Sequence, residues 1–220
     1  MSAKTRVLIC DDHELFREGI KAILRTEEGV EIVGEARDGG QAVGEALRLR
    51  PDVVLMDMEM PGLNGVEATR RIHEGEPRIP VLILTMYGEE ELVARCMQAG
   101  AAGYVLKDVP AAQLLYAIQA VGRGGRYMSP EVLKGVLEQY VGGSPASESR
   151  YDRLTGRERE ILKLLAEGLS AKQVAAQLDL SVKTVDVHKT NLMRKLDVHD
   201  RAELVKWAIS HKVIRLPVLR

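Results

Sequence analysis

The stretch at residues 51–62, PDVVLMDMEMPG, limits the possible folds of this 220-residue chain more than any other. Val53, Val54, Leu55 and Met56 form an unbroken apolar run bounded by Pro51 and by Pro61-Gly62. A continuous run this short reads as a strand buried on both faces, which in turn implies a parallel sheet covered by helices. Asp57 ends the strand. In an open parallel α/β sheet, ligands sit beyond the carboxyl ends of the strands, so Asp57 projects toward the expected site. A strand-ending aspartate also caps loops, and this run alone does not separate the two roles. The earlier run Val7-Leu8-Ile9-Cys10-Asp11-Asp12 is a second apolar strand ending in two carboxylates. Three carboxylates at neighbouring strand ends repel one another unless a cation offsets them. Oxygen ligands with room left for water and phosphate suit Mg²⁺.

Strands and helices alternate through the first half. Strands are expected at 6–10, 30–36, 53–57, 80–85 and 101–106. Helices are expected at 13–26, 38–49, about 64–73, from 89 onward, and from 110 to about 122. This is a (βα)₅ order, which implies a doubly wound parallel sheet. Strand ends then carry Asp11 and Asp12, Asp57, Thr85 and Lys107. Taken together they suit phosphoryl chemistry: carboxylates for a metal, one carboxylate as nucleophile, lysine and threonine for the incoming oxygens. Singly, Thr85 reads as a helix cap and Lys107 as a solvated surface lysine.

These residues resemble the receiver domains of two-component response regulators over 5–123. The matching features are the Asp11-Asp12 pair, Asp57 followed by Met60-Pro61-Gly62, Thr85, and Gly103-Tyr104-Val105-Leu106-Lys107. The resemblance implies that the phosphohistidine of a sensor histidine kinase donates to Asp57. It implies Mg²⁺ held by Asp12, Asp57 and the backbone carbonyl of Glu59, and through water by Asp11. It further implies that Thr85 swings toward the phosphoryl group and that Tyr104 turns inward behind it. Many receivers have proline directly after the lysine. Here Asp108-Val109-Pro110 follows Lys107, and whether the Lys107–Asp108 peptide is cis stays open.

The net charge of −1 hides an asymmetry. Residues 1–123 hold 14 Lys+Arg against 20 Asp+Glu, whereas residues 151–220 hold 14 against nine. An acidic half joined to a basic half suggests that the second meets a polyanion. Between them, 124–150 reads as a linker with a helix that starts at Ser129-Pro130-Glu131 and runs to about 140. The following GGSPASES run at 142–149 is flexible by composition, spanning roughly 15 Å as a coil. From 154 the pattern is all helical, with caps at Thr155, Ser170, Ser181 and Asp200. A short helix, a tight turn at Asp179-Leu180 and a longer helix from 182 to about 196 suggest a helix-turn-helix. The same pattern alone also suits a helical interaction bundle.

Residues 154–198 are similar to the LuxR-type DNA-binding domain, so the whole chain resembles a NarL/FixJ-type response regulator. That resemblance makes the helix from 182 the recognition helix. Candidate DNA-contacting residues are Lys172, Ser181, Lys183, Thr184, Asp186, Val187, His188, Lys189, Thr190 and Asn191. Of these, Asp186, Val187 and Thr190 are the base-facing positions the resemblance implies. It also makes the last helix a contact between copies in a homodimer on DNA, through Ala202, Leu204 and Lys206. The expected fold class is thus α/β plus all-α: a receiver at 1–123, a linker at 124–150 and a four-helix helix-turn-helix domain at 151–220.

Two other function classes stay open on the sequence. Asp57 and Glu59 mimic the paired acids of a haloacid-dehalogenase-type phosphatase, although Pro61 stands where that family has threonine. The second half alone also suits a protein adaptor that does not touch DNA. The longest apolar runs are too short to span a bilayer, and no signal peptide is visible, which points to the cytoplasm and away from membranes. Cys10 and Cys96, the only cysteines, suggest a reducing compartment and not a disulfide framework. The expectation is a regulator, not a metabolic enzyme.

Overall fold

The structure, a computed structural model, describes residues 4–141, 150–151, 153–211 and 213–214. The chain divides into two compact units, Met1–Pro145 and Ala146–Arg220. The run at 142–149, read from composition as a flexible connector, lies outside the described residues.

The first unit alternates β1 (Thr5–Cys10), α1 (Glu14–Arg25), β2 (Val30–Ala36), α2 (Gly39–Leu49), β3 (Val53–Asp57), α3 (Gly65–Gly75), β4 (Val81–Thr85), α4 (Glu90–Gln98), β5 (Gly103–Leu106), α5 (Ala111–Gly122), β6 (Tyr127–Met128) and α6 (Pro130–Val141). The sheet order is β2-β1-β3-β4-β5-β6, with every pair parallel. The order reverses at β1, where the chain crosses from β2 to β3. Asp11 and Asp12 follow β1 and Asp57 ends β3, and these two strands are hydrogen-bonded neighbours in register from Val7↔Val53 to Cys10↔Met56. That juxtaposition is the crevice where a doubly wound sheet binds its ligand.

The apolar runs are continuous because alternate residues enter two different cores. Leu8, Cys10, Val54, Met56, Val81 and Ile83 pack on one face of the sheet. Val7, Ile9, Val53, Leu55, Leu82 and Leu84 pack on the other. Two of the helices, α2 and α3, are set by local capping as well as by an apolar stripe. Asp38 accepts a hydrogen bond from the Gln41 amide at the start of α2, and Asn64 accepts from Glu67 at the start of α3. The fifth strand is shorter than expected, beginning at Gly103. The Lys107–Asp108 peptide is trans, since no described residue has a cis bond.

The sheet has a sixth strand that no pattern announced. β6 is only two residues long, pairing Gly103 with Tyr127 and Tyr104 with Met128. After it, α6 lays Val132 into the core against α4. The boundary expected at residue 123 therefore falls inside the first compact unit. Ser129, expected as a helix cap, is fully buried, and its hydroxyl accepts the Leu106 amide N–H at 3.3 Å, joining this strap to β5.

The second unit comprises α7 (Gly156–Ala166), α8 (Ala171–Gln177), α9 (Val182–Leu196) and α10 (Arg201–Ser210). All four expected caps form. Thr155 and Ser170 make reciprocal capping boxes, while Ser181 and Asp200 accept from the amides of Thr184 and Glu203. The α8–α9 turn closes through Asp179, whose φ of +52° is left-handed, and the Leu180 amide reaches back to the Ala175 carbonyl at 2.9 Å. Ile161, Leu165, Val174, Val185, Leu192 and Leu204 fill a single core. A Lys195–Glu158 ion pair at 2.6 Å ties α9 to α7.

Candidate phosphoacceptor site and nucleic-acid interface

Asp57 sits at the end of a strand whose other residues are all buried, and it is itself only 2 % exposed. Asp11 is equally buried. The Lys107 ammonium crosses from the far end of β5 to meet both, lying 2.6 Å from Asp11 Oδ2 and 3.0 Å from Asp57 Oδ2. The second approach is an ion pair without hydrogen-bond alignment, so Asp57 Oδ2 is a buried oxygen that makes no hydrogen bond among the described residues. Burial pushes the Asp57 carboxyl up to about 6. The Lys107 ammonium opposes that rise, and the neighbouring Asp11 adds to it. Above that pH the ionised carboxylate is held at a cost in free energy, which a bound cation would offset.

Ligand oxygens of Asp11, Asp12 and Asp57, with a nitrogen of His13, lie within 4.8 Å of one another. Three carboxylates, one of them with a buried oxygen that makes no hydrogen bond, fit a hard divalent cation. Glu59, assigned a role through its backbone carbonyl, lies on the loop that follows β3. His13 and Arg17 escaped the sequence reading. The His13 amide donates to Asp11 Oδ1 at 2.7 Å, and its ring Nδ1 lies 3.0 Å from Asp12 Oδ1. Arg17 is 2 % exposed and donates to the Asp11 carbonyl at 2.8 Å and to Glu35 at 3.1 Å, so it braces the strand end from behind. A buried arginine on an otherwise amphipathic helix leaves no periodic signal, because its partners, the Asp11 carbonyl and Glu35, lie outside that helix.

Gly65 is the other unannounced requirement. A Cβ there would stand 2.0 Å from the Asp57 carbonyl oxygen, and only its absence lets the first turn of α3 sit against β3.

Thr85 ends β4 and is 1 % exposed, with its hydroxyl placed to accept the Tyr87 amide at 3.4 Å. Tyr104 is fully buried and its hydroxyl donates to the Tyr87 carbonyl at 2.8 Å. The ring therefore already occupies the inward position that the resemblance assigned to the switched state. Cys10 and Cys96 are free and buried, with burial pushing both thiols up, the second to about 12. Neither is a reactive thiolate.

In the second unit, α9 shows a solvent stripe made of Lys183, Asp186, Val187, Thr190 and Arg194, while Val185, Leu192 and Leu196 face the core. Lys172 is exposed on α8. Thr184, His188, Lys189 and Asn191 are half-buried flanks of the stripe, and Ser181 is exposed but spends its hydroxyl on the α9 cap. On α10, Ala202 and Lys206 are exposed. Leu204 is not: at 1 % exposure it is core, and its expected role in a contact between copies is corrected. It fills the interior because it lies one turn before Ala208, which is also buried.

Residues 7–119 match the family described as response regulator receiver domain, and residues 152–208 match bacterial regulatory proteins of the luxR family. The chain is a two-component response regulator of the LuxR type. This family regulates transcription and is not a class of metabolic enzyme, which sets aside the phosphatase and adaptor alternatives. Among relatives of this response regulator, the oxygen regulatory protein NreC of Staphylococcus haemolyticus (strain JCSC1435) is 38% identical over 214 residues, covering 95% of this chain and 99% of the relative. The response regulator protein VraR of Staphylococcus aureus (strain Mu3 / ATCC 700698) is 38% identical over 210 residues, covering 96% and 99%. A solved structure of RcsB from Salmonella enterica serovar Typhimurium, bound to promoter P1flhDC in the presence of phosphomimetic BeF3-, superposes with a TM-score of 0.58 at 28% identity, covering 94% and 99%. No helix among the described residues of the regulator is long and apolar enough to cross a membrane.

Proposed function

We propose that Asp57 accepts a phosphoryl group from the phosphohistidine of a sensor histidine kinase, and that this switches the second unit to bind paired DNA half-sites as a homodimer in the cytoplasm. The observation that carries the reading is the buried Asp57 carboxylate, paired with Lys107 and facing Asp11 and Asp12 at the carboxyl edge of the sheet.

In the transfer, an Asp57 carboxylate oxygen attacks phosphorus, the P–N bond to the kinase imidazole breaks, and an acyl phosphate forms. Asp12, Asp57 and the Glu59 carbonyl, with Asp11 through water, would hold Mg²⁺. That ion supplies charge compensation for carboxylates and phosphoryl oxygens together. Lys107 is placed to follow the negative charge from the carboxylate to the phosphoryl oxygens. Thr85, released from the Tyr87 amide, offers its hydroxyl to the same group. The added charge thus reorganises the ends of β4 and β5. Tyr104, already inward, needs no rotation to support that state, so its part is to hold the Tyr87 loop.

The DNA-binding reading rests on the exposed, lysine-flanked stripe of α9 and on the net positive charge of residues 151–220. The dimer reading rests on exposed Ala202 and Lys206 of α10. The test uses phosphoryl label supplied by a kinase or by acetyl phosphate with Mg²⁺. The parent takes up one label per chain and then binds DNA, whereas Asp57→Asn folds, takes up none and shows no label-dependent gain in binding. Uptake by Asp57→Asn would move the nucleophile elsewhere.

A further inference from the structure

The middle of the exposed α9 stripe offers hydrogen-bond acceptors and a methyl surface, but no donor. A carboxylate only accepts. Thr190 has a single hydroxyl proton, and it is committed to the Asp186 carbonyl at 2.9 Å, which leaves only oxygen lone pairs facing outward. Val187, between them, is 54 % exposed and contributes only hydrocarbon. The donors of the stripe, Lys183 and Arg194, stand at its two ends.

The ordinary reasons for an aspartate on a helix do not account for Asp186. It is not a cap, since Ser181 holds that position. It lies beyond the first turn, which contains no acidic residue, so the helix dipole gives it little. It forms no ion pair with Lys183, Lys189 or any other cation among the described residues. An unpaired carboxylate on a surface meant to approach phosphates is repelled by them, and something specific must offset that repulsion.

Resting on the DNA-binding reading above, we infer that Asp186 is a base-reading residue that selects cytosine in each half-site. In the major groove the exocyclic amino groups of cytosine and adenine are the donors. Guanine shows only acceptors there, and aspartate pairs with cytosine N4. Val187, one residue on, suits a neighbouring thymine methyl. Lys183 and Arg194 contact phosphates on either side, which positions the helix without specifying sequence.

The test equilibrates full-length, acetyl-phosphate-treated protein with duplexes carrying two inverted half-sites, one of them randomised, and sequences the bound fraction. The parent enriches cytosine at one position. Asp186→Ala lowers that preference by roughly 5- to 150-fold, with overall affinity equal or higher. Asp186→Asn, which offers a donor and an acceptor together, shifts the same position toward adenine. Lys183→Ala weakens all sequences alike. If Asp186→Ala binds with the parent's base preferences, or gains affinity equally for every sequence, the carboxylate only repels phosphate and the inference is overturned while DNA binding stands. If the parent shows no salt-dependent DNA binding at all, the DNA reading falls and takes this inference with it.

Discussion

Replacing Asp57 by asparagine should stabilise the metal-free first unit at neutral pH. Its buried carboxyl titrates at about 6 against an ordinary 3.8, a rise caused mainly by burial and already net of the Lys107 attraction. A raised carboxyl pKa means that the folded chain holds the proton more tightly than the unfolded chain. Stability therefore falls as pH rises from about 4 to about 6 and is flat above that, which is the opposite of a salt-bridged carboxylate. A shift of roughly two pH units corresponds to about 3 kcal/mol. Asparagine removes the charge but leaves an amide to be satisfied, so the expected gain at pH 8 in EDTA is about 1–3 kcal/mol, shrinking toward zero at pH 4. Mg²⁺ should reverse the order: at a hundred times its dissociation constant it adds about 2.7 kcal/mol to the parent and much less to the variant. The only tryptophan, Trp207, lies in the second unit, so its fluorescence reports the wrong half of the chain. The assay is urea unfolding followed by hydrogen exchange in peptides spanning Val53–Asp57 and Val81–Thr85. A parent and variant that differ equally at pH 4 and pH 8, or a variant less stable at pH 8 in EDTA, would refute the reasoning that charge burial at Asp57 is the cost.

Gly65→Ala puts a Cβ 2.0 Å from the Asp57 carbonyl oxygen, so it should cost about 1–3 kcal/mol or more and slow label uptake together, read by urea titration and by radiolabel. Met86, directly after Thr85, is 64 % exposed; if it screens the acyl phosphate from water, Met86→Ala should hydrolyse it faster, and equal or slower decay removes the shielding role. Leu204→Ala should cost the second unit about 2–5 kcal/mol, seen in Trp207 fluorescence during urea unfolding, because it empties a buried site. Lys206→Glu should leave that stability within about 0.5 kcal/mol and instead weaken binding to paired half-sites more than to a single one, measured by fluorescence anisotropy.

The continuous apolar runs at residues 7–10, 53–56 and 81–84 determined a parallel sheet by themselves, since only a sheet covered on both faces buries every residue of a strand. With the strand direction set, Asp11, Asp12, Asp57, Thr85 and Lys107 had to gather at one edge. The caps at Thr155, Ser170, Ser181 and Asp200 were equally legible, because capping is a local contest between a side chain and four backbone amides. Tertiary structure alone decided the rest. Two-residue β6 carries no period to detect, and only its pairing to β5 makes it a strand. Arg17 and Gly65 matter through partners far along the chain or through a steric gap, and neither leaves a mark on the residues beside it. Leu204 and Lys206 sit two positions apart on one helix. Which of them faces the core is set by where α7 packs on α10, a contact between distant segments that periodicity in a ten-residue helix does not resolve.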